Sequence, residues 1–331
     1  MRTGLLLPHF GADADAQKIV KGSQLAERLG FDSVWVRDHL LFEPHGEFEK
    51  PNVDFYEALT VLTAVGASTE RLTLGTGALI PFRHPLMTAQ IVATMTQFFG
   101  PRVIVGMGSG NFDHEFAAVG LDGVPRPELV LDNFEIMRRI WAGEAVSWDK
   151  PPFDFADAVI KPAPTGRVPL WYCGNTPKSA RMAAQWLDGW LPGRIGIDTL
   201  RVRVETLETI SAEHGRRRPT VGMIPPTSIG RTREEALAKV NVEGLLAWAN
   251  NARFWVKPKS GRFETVDDLG GVLLYGTADD IVEQCLELRE IGVDELVFDF
   301  RLSFPEWEEQ MQILGEEVLP RVTGGGAGGP A

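Results

Sequence analysis

The stretch RVIVGMGSGN, residues 102–111, runs an apolar strand straight into three glycines and an asparagine. Two folds compete for it. A strand followed by GxGxxG and a helix marks a dinucleotide-binding βαβ unit, the glycines giving a tight turn and close approach to a pyrophosphate. Here Gly106 and Gly108 are in place, but Gly110 comes one residue early and Asn111 stands where the third glycine belongs. The motif also follows the fourth apolar run of the chain, not the first. A Rossmann domain is therefore rejected.

Outward from this stretch the same unit recurs in both directions. Apolar runs fall at 3–10, 31–36, 71–80, 102–110, 168–175, 188–193, 219–230 and 294–300. Helix-period segments lie between several of them. In the first, Ile19, Gly22, Ala26 and Leu29 share a face, with Asp13 or Asp15 as the start and Gly30 as the stop. Others cover 55–69, 83–99 (Pro85 suits its first turn) and about 129–142. Strands that are apolar on both faces and alternate with helices imply a parallel sheet. Eight such units without a shift of composition predict one closed (β/α)8 TIM barrel over residues 1–322. Two segments exceed a minimal barrel, an extended excursion at 147–167 and an insertion at 240–274 that includes Trp255. The insertion is read as a lid, a pocket wall or a dimer contact. Residues 323–331 read as a flexible Gly-rich tail.

The chain has 331 residues and a formal charge of -12, which opposes nucleic acid and anionic membranes as partners. No apolar run approaches a membrane span, and the opening MRTGLLLPHF makes a poor signal peptide. Cys173 and Cys285 form no CxxC pair, so a reducing cytoplasm is expected.

In a barrel the functional site lies at the strands' C-terminal ends. Strand one delivers His9 and Phe10, strand two Arg37, Asp38 and His39, and strand three Gly77 and Ala78. Strand four delivers Ser109 and Asn111 with His114 and Glu115 nearby, and strand five Gly174, Asn175 and Thr176. Each has a structural alternative: a strand-end His is commonly a core residue, and Gly75 and Gly77 would relieve crowding inside a barrel. The turn CGNTPKS opens a helix and suits phosphate, while Thr176 as N-cap with Pro177 behind it explains the same residues without a ligand. The six histidines show no tight metal-ligand spacing, and no metal is expected. No GxSxG occurs, which removes the usual hydrolase nucleophile.

Five segments, GFDSVWVRDH (30–39), RLTLGTGALIPFRHP (71–85), RVIVGMGSGNFDHEFAAVG (102–120), VPLWYCGNTPKSARMAAQWLDGWLPG (168–193) and GTADDIVEQCLELREIGVDELVFDF (276–300), occur in an order that resembles the luciferase-like monooxygenase superfamily. The resemblance spans about residues 2–321 and is nearest to the branch that uses the deazaflavin coenzyme F420. It implies a bacterial luciferase-type barrel and hydride transfer between the coenzyme's C5 and a small organic substrate. It further implies His39 as general acid or base, with Asp38 holding the ring or the imidazole. A cis peptide at Gly77–Ala78 would back the ring, and Gly174, Asn175 and Thr176 would receive the coenzyme phosphate. Ser109 and His114 would complete the coenzyme contacts. His9, Phe10, Glu43, Asn111 and Trp255 would line the substrate pocket. A homodimer through early helices is expected. Sugar-phosphate dehydrogenases of the family carry a Trp after the His and a Glu in the strand-four loop. This chain has Glu43 and Asn111 there, so glucose-6-phosphate oxidation is not expected. The alternatives are a reduced-FMN-dependent monooxygenase and a non-catalytic flavin-binding relative.

Overall fold

The computed structural model describes residues 1–46, 49 and 54–323. In chain order its strands are β1 (Arg2–Leu6), β2 (Ser33–Val36), β3 (Thr73–Thr76), β4 (Val103–Gly108), β5 (Val146–Trp148), β6 (Phe155–Ala158), β7 (Leu170–Cys173), β8 (Gly189–Leu191), β9 (Thr220–Met223), β10 (Thr227–Ile229), β11 (Leu274–Gly276) and β12 (Glu295–Phe298). Eight of them close in the order β1-β12-β9-β8-β7-β4-β3-β2, every neighbour parallel. The expected TIM barrel is the observed fold. The helices are α1 (Ala16–Leu29), α2 (Ala58–Ser68), α3 (Pro85–Phe99), α4 (Asp113–Ala118), α5 (Arg126–Trp141), α6 (Pro177–Trp186), α7 (Ile197–Glu213), α8 (Arg233–Leu237), α9 (Val242–Asn251), α10 (Ala278–Ile291), α11 (Trp307–Ile313) and α12 (Leu319–Val322).

Local chemistry sets the boundaries. Asp15 caps α1 by accepting from Lys18 N–H at 2.7 Å, and Gly30 ends it with φ +92°. The barrel interior is filled by two indoles, Trp35 and Trp171, with ring centroids 5.3 Å apart. Their bulk is accommodated by glycine on adjacent strands: a Cβ at Gly75 would sit 2.4 Å from Trp35, and one at Gly189 2.3 Å from Trp171. At the N-terminal mouth the buried Glu295 carboxylate accepts from Ser33 Oγ at 2.6 Å and Trp35 Nε1 at 3.0 Å, and pairs with Arg2 at 2.5 Å.

The seventh run does not stay in the barrel throughout. β9 ends at Met223, and Thr227–Ile229 instead pairs with Leu274–Gly276 as a separate two-stranded sheet. Pro225 and Pro226 intervene, and neither has an N–H for the barrel ladder. The excursion at 147–167 contains most of an antiparallel hairpin, β5 with β6. The insertion at 240–274 holds α9, a short 3-10 turn at Val266–Leu269 and the first residue of β11. Of the Gly-rich tail, only Thr323 lies among the described residues.

Candidate active site

A cavity of about 490 Å³ opens over the C-terminal strand ends. That size is ordinary for a site holding a cofactor or small substrate. Its wall includes Asp38, His39, Gly77, Ala78, Ser109 and Asn111 from one side of the barrel and Gly174, Asn175 and Thr176 from the other.

His39 follows β2 and is enclosed by rings, with Phe42, Phe55 and Phe112 centroids 5.1, 5.4 and 5.3 Å away. Its Nδ1 lies 3.2 Å from Glu115 Oε2, and Glu115 Oε1 accepts from the N–H groups of Leu40 at 2.7 Å and Leu41 at 3.0 Å. Burial pushes the His39 pKa below the usual imidazole range, against the opposing pull of Glu115. Burial alone would raise the Glu115 carboxyl. The His39 hydrogen bond and the two backbone donors outweigh it and hold the group below its ordinary value. The pair is therefore neutral imidazole beside carboxylate: Nδ1–H donates to Glu115, and Nε2 keeps its lone pair.

Asp38 does not orient that imidazole. Arg83 grips it through both terminal nitrogens, at 2.5 and 2.9 Å, and Ile80 N–H donates to it at 2.9 Å. Carboxylate–guanidinium geometry of this two-pronged kind commits both oxygens. The peptide Gly77–Ala78 is cis. A Cβ at Gly77 would lie 2.7 Å from Ile224 and 3.0 Å from Leu191, so the backbone itself forms the wall there. Ser109 Oγ lies 3.2 Å from Tyr172 Oη, which also faces the cavity.

At the α6 turn, Thr176 caps the helix by accepting from Ser179 N–H at 3.1 Å. Gly174 N–H donates to Leu191 C=O at 3.0 Å, which removes one donor from the set expected to meet phosphate. Five expected residues lie elsewhere. His9 is fully buried, its Nδ1 2.9 Å from Leu7 C=O and its Nε2 accepting from Arg37 N–H at 3.1 Å; it joins β1 to β2. Phe10 stacks on Phe55 at 5.4 Å in the aromatic cluster behind the cavity. Glu43 is exposed and outside the cavity wall. His114 Nε2 bonds Leu41 C=O at 2.8 Å, so it braces the loop that carries His39. Trp255 stands behind the wall, edge-on to Trp248 at 5.1 Å, and it is Trp248 from α9 that lines the cavity.

Sequence reasoning placed Arg37 and Glu115 at the strand ends without giving them a role, and it did not single out Arg194 or Arg301; all four are at this site. Glu115 left a faint trace: it sits one helical turn beyond Asn111 with Phe116 beside it, both buried on α4. Arg194 and Arg301 left none, because each comes from a distant segment with no motif beside it.

The sequence model of the luciferase-like monooxygenases matches residues 1–295. The chain belongs to that family. Among its relatives, an F420-dependent glucose-6-phosphate dehydrogenase of Microbacterium testaceum is 28% identical over 314 residues, covering 90% of this chain and 91% of that one. A 5,10-methylenetetrahydromethanopterin reductase of Archaeoglobus fulgidus is 26% identical over 327 residues, covering 90% and 94%. The structure of an F420-dependent secondary alcohol dehydrogenase, solved with an F420–acetone adduct, superposes with a TM-score of 0.80 at 21% identity, covering 97% of this chain and 98% of the other. This member of the luciferase-like family thus shares its barrel with deazaflavin enzymes. No helix among its described residues is long and apolar enough to cross a membrane.

Proposed function

We propose that the chain is an F420-dependent oxidoreductase that moves a hydride between the coenzyme's C5 and a small organic substrate. The observation that carries the reading is the His39–Glu115 pair on the wall of a cavity backed by bare main chain. Gly77, Gly108 and Gly110 present no side chains there, and a Cβ on Gly108 would come 2.9 Å from Cys173 C=O. A flat, glycine-lined back wall suits a planar tricycle. The relatives that cover about nine-tenths of the chain and are named for F420 support the same reading.

When bound, F420 supplies the hydride acceptor or donor. The chain's own residues do the remaining work. For oxidation of an alcohol, His39 Nε2 takes the hydroxyl proton as the hydride leaves carbon, and Glu115 stabilises the imidazolium that results. Reduction runs the same steps backwards. Asn175, Thr176 and the positive end of α6 hold the coenzyme phosphate, and Trp248 with the ring cluster around His39 keeps water out.

Titration of the purified protein with oxidised F420 and with FMN tests the reading. F420 should bind, and the reduced protein–coenzyme complex should consume no dioxygen. FMN binding with oxygen uptake, and none of F420, overturns it. We propose further that the chain works in the cytoplasm as a homodimer. Met87, Ile91 and Phe98 project from one face of α3 with 60%, 36% and 77% of their surfaces exposed, which suits a buried contact between copies. Phe98→Asp should convert the sedimenting species to monomer.

A further inference from the structure

Few donors of the α6 turn are left for a phosphate. Gly174 N–H goes to Leu191 C=O at 3.0 Å, Pro177 has no N–H, and Ser179 N–H goes to Thr176 Oγ1 at 3.1 Å. The Ser179 hydroxyl lies 2.7 Å from the carbonyl oxygens of both Gly174 and Thr176. Lys178, the lysine of this turn, pairs with Glu128 at 3.1 Å.

A second set of donors stands beside the turn. Tyr172 on β7 and Ser109 just past β4 both line the cavity, and their hydroxyl oxygens are 3.2 Å apart. Gly108 is in register with Cys173, so the two hydroxyls meet over the seam between neighbouring strands. The edge of the Tyr172 ring lies against the turn: a Cβ on Gly174 would be 3.5 Å from its Cε1. Around the rim, the order β7-β4-β3-β2 puts this pair between the turn and the cis peptide at Gly77–Ala78, with His39 beyond.

Two hydroxyls carry two O–H donors, and their mutual bond uses one. Neither oxygen has another partner among the described residues. Tyr172 is only 4% exposed, and burial raises the pKa of its phenol, so the proton stays on. Water can accept the spare O–H while the cavity is open. Once a ligand displaces that water, the ligand must bring an acceptor or leave a buried donor unmet. A phenol is a stronger donor than an alcohol, and an anionic oxygen is the acceptor that gains most from it. The pair is best satisfied with Ser109 donating to Tyr172 and Tyr172 donating outward.

We infer that Tyr172 donates its hydroxyl to an oxygen of the coenzyme phosphate at the α6 turn, with Ser109 as the positioning residue behind it. This deepens the F420 reading and rests on it for the identity of the ligand. Tyr172 replaces the N–H that Gly174 has spent, and it moves part of the selectivity for phosphate from main chain to side chain.

The experiment is calorimetric titration of the full-length protein, Tyr172→Phe and Ser109→Ala with two ligands. One is F420, and the other is the deazaflavin that keeps the ring and the sugar-alcohol chain but lacks the phosphate. Tyr172→Phe should weaken F420 at least tenfold and the phosphate-free compound less than twofold. Ser109→Ala should weaken F420 two- to fivefold, again with little effect on the other ligand. If thermal melting shows that Tyr172→Phe does not fold, a loss confined to F420 in Ser109→Ala decides the matter. Equal loss for both ligands would put the hydroxyl on the ring or the sugar-alcohol chain and overturn the inference, as would unchanged F420 affinity. A protein that binds FMN and not F420 defeats the F420 reading alone, and FMN against riboflavin then reads the same variants. Binding of neither coenzyme overturns both.

Discussion

Two fully buried glutamates among the described residues, Glu295 and Glu115, stand at opposite ends of the barrel, and they differ in what their partners do. Glu295 opens β12 at the N-terminal mouth and is surrounded by Ser33, Trp35 and Arg2, none of which reaches the cavity. Burial raises its pKa, against the pull of Arg2. Glu115 lies over the opposite mouth, and its partner His39 has a second face on the cavity. Both acids are fully buried. Burial of a carboxylate is therefore no sign of chemistry by itself. A partner that also lines a ligand-sized space, as His39 does, is the better pointer.

The largest effect that would break this contrast is at His39. His39→Ala removes the proton acceptor, and general acid–base groups are worth about 10²–10⁴ in rate. Turnover should drop by about 10³ with F420 affinity within threefold, as read by steady-state kinetics and coenzyme titration. Equal loss of both would move His39 from proton transfer to binding. At the other mouth, Glu295→Ala should cost about 3 kcal/mol of stability by stripping Trp35 Nε1 and Ser33 Oγ of a buried acceptor. Chemical denaturation reads that cost. Turnover per folded molecule should not change, and a drop there would mean that the two ends are coupled.

Glu115→Gln sharpens the comparison. The amide oxygen is needed by the Leu40 and Leu41 N–H groups, so the NH₂ faces His39 Nδ1 and donates to it. That forces the imidazole proton onto Nε2, the nitrogen that should accept from substrate. Turnover should fall by about 10², the size of effect expected from a wrong tautomer in a weaker base pair than a catalytic triad. Glu115→Asp, which retains the charge, should recover part of the rate. Equal loss in both variants would assign Glu115 to loop support through Leu40 and Leu41 alone.

How much of this was legible in the sequence follows from which interactions are local. The eight strands could be read because a parallel barrel covered on both faces leaves continuous apolar runs, such as VIV at 103–105, with a strand-end motif after each. The N-cap at Asp15 and the stop at Gly30 are set within a few residues and could be read as well. The run at 219–230 was read as one strand; Pro225 and Pro226 break it, and the partner of Thr227–Ile229 lies near residue 275, beyond the reach of a local pattern. His39 and Gly77–Ala78 stood out through resemblance. Glu115 meets His39 across 76 residues, and Arg37, Arg194 and Arg301 meet only when β2, β8 and β12 close one mouth. Among 33 lysines and arginines, nothing local distinguishes Arg194 or Arg301, and Arg37 is marked only by its place before Asp38 and His39.

His9 shows that the C-terminal rim is itself divided between chemistry and support. It sits at the end of β1 where a substrate-pocket residue was expected, yet its two nitrogens are spent on Leu7 C=O and Arg37 N–H. Burial lowers its pKa to about 4. In the unfolded chain the imidazole takes a proton near pH 6.5, so the unfolded state binds more protons below that value. The stabilisation is complete above about pH 6.5 and is lost as pH falls toward 4, amounting to about 2 kcal/mol by pH 5. Gln can donate and accept without titrating. His9→Gln should therefore match the parent's stability at pH 7.5 within about 1 kcal/mol and lose about 2 kcal/mol less on going to pH 5. His45, also lowered to about 4, should account for part of the acid sensitivity that remains. An unchanged acid slope would mean that His9 is protonated in the folded state, and the support it gives between β1 and β2 would then need a different hydrogen-bonding account.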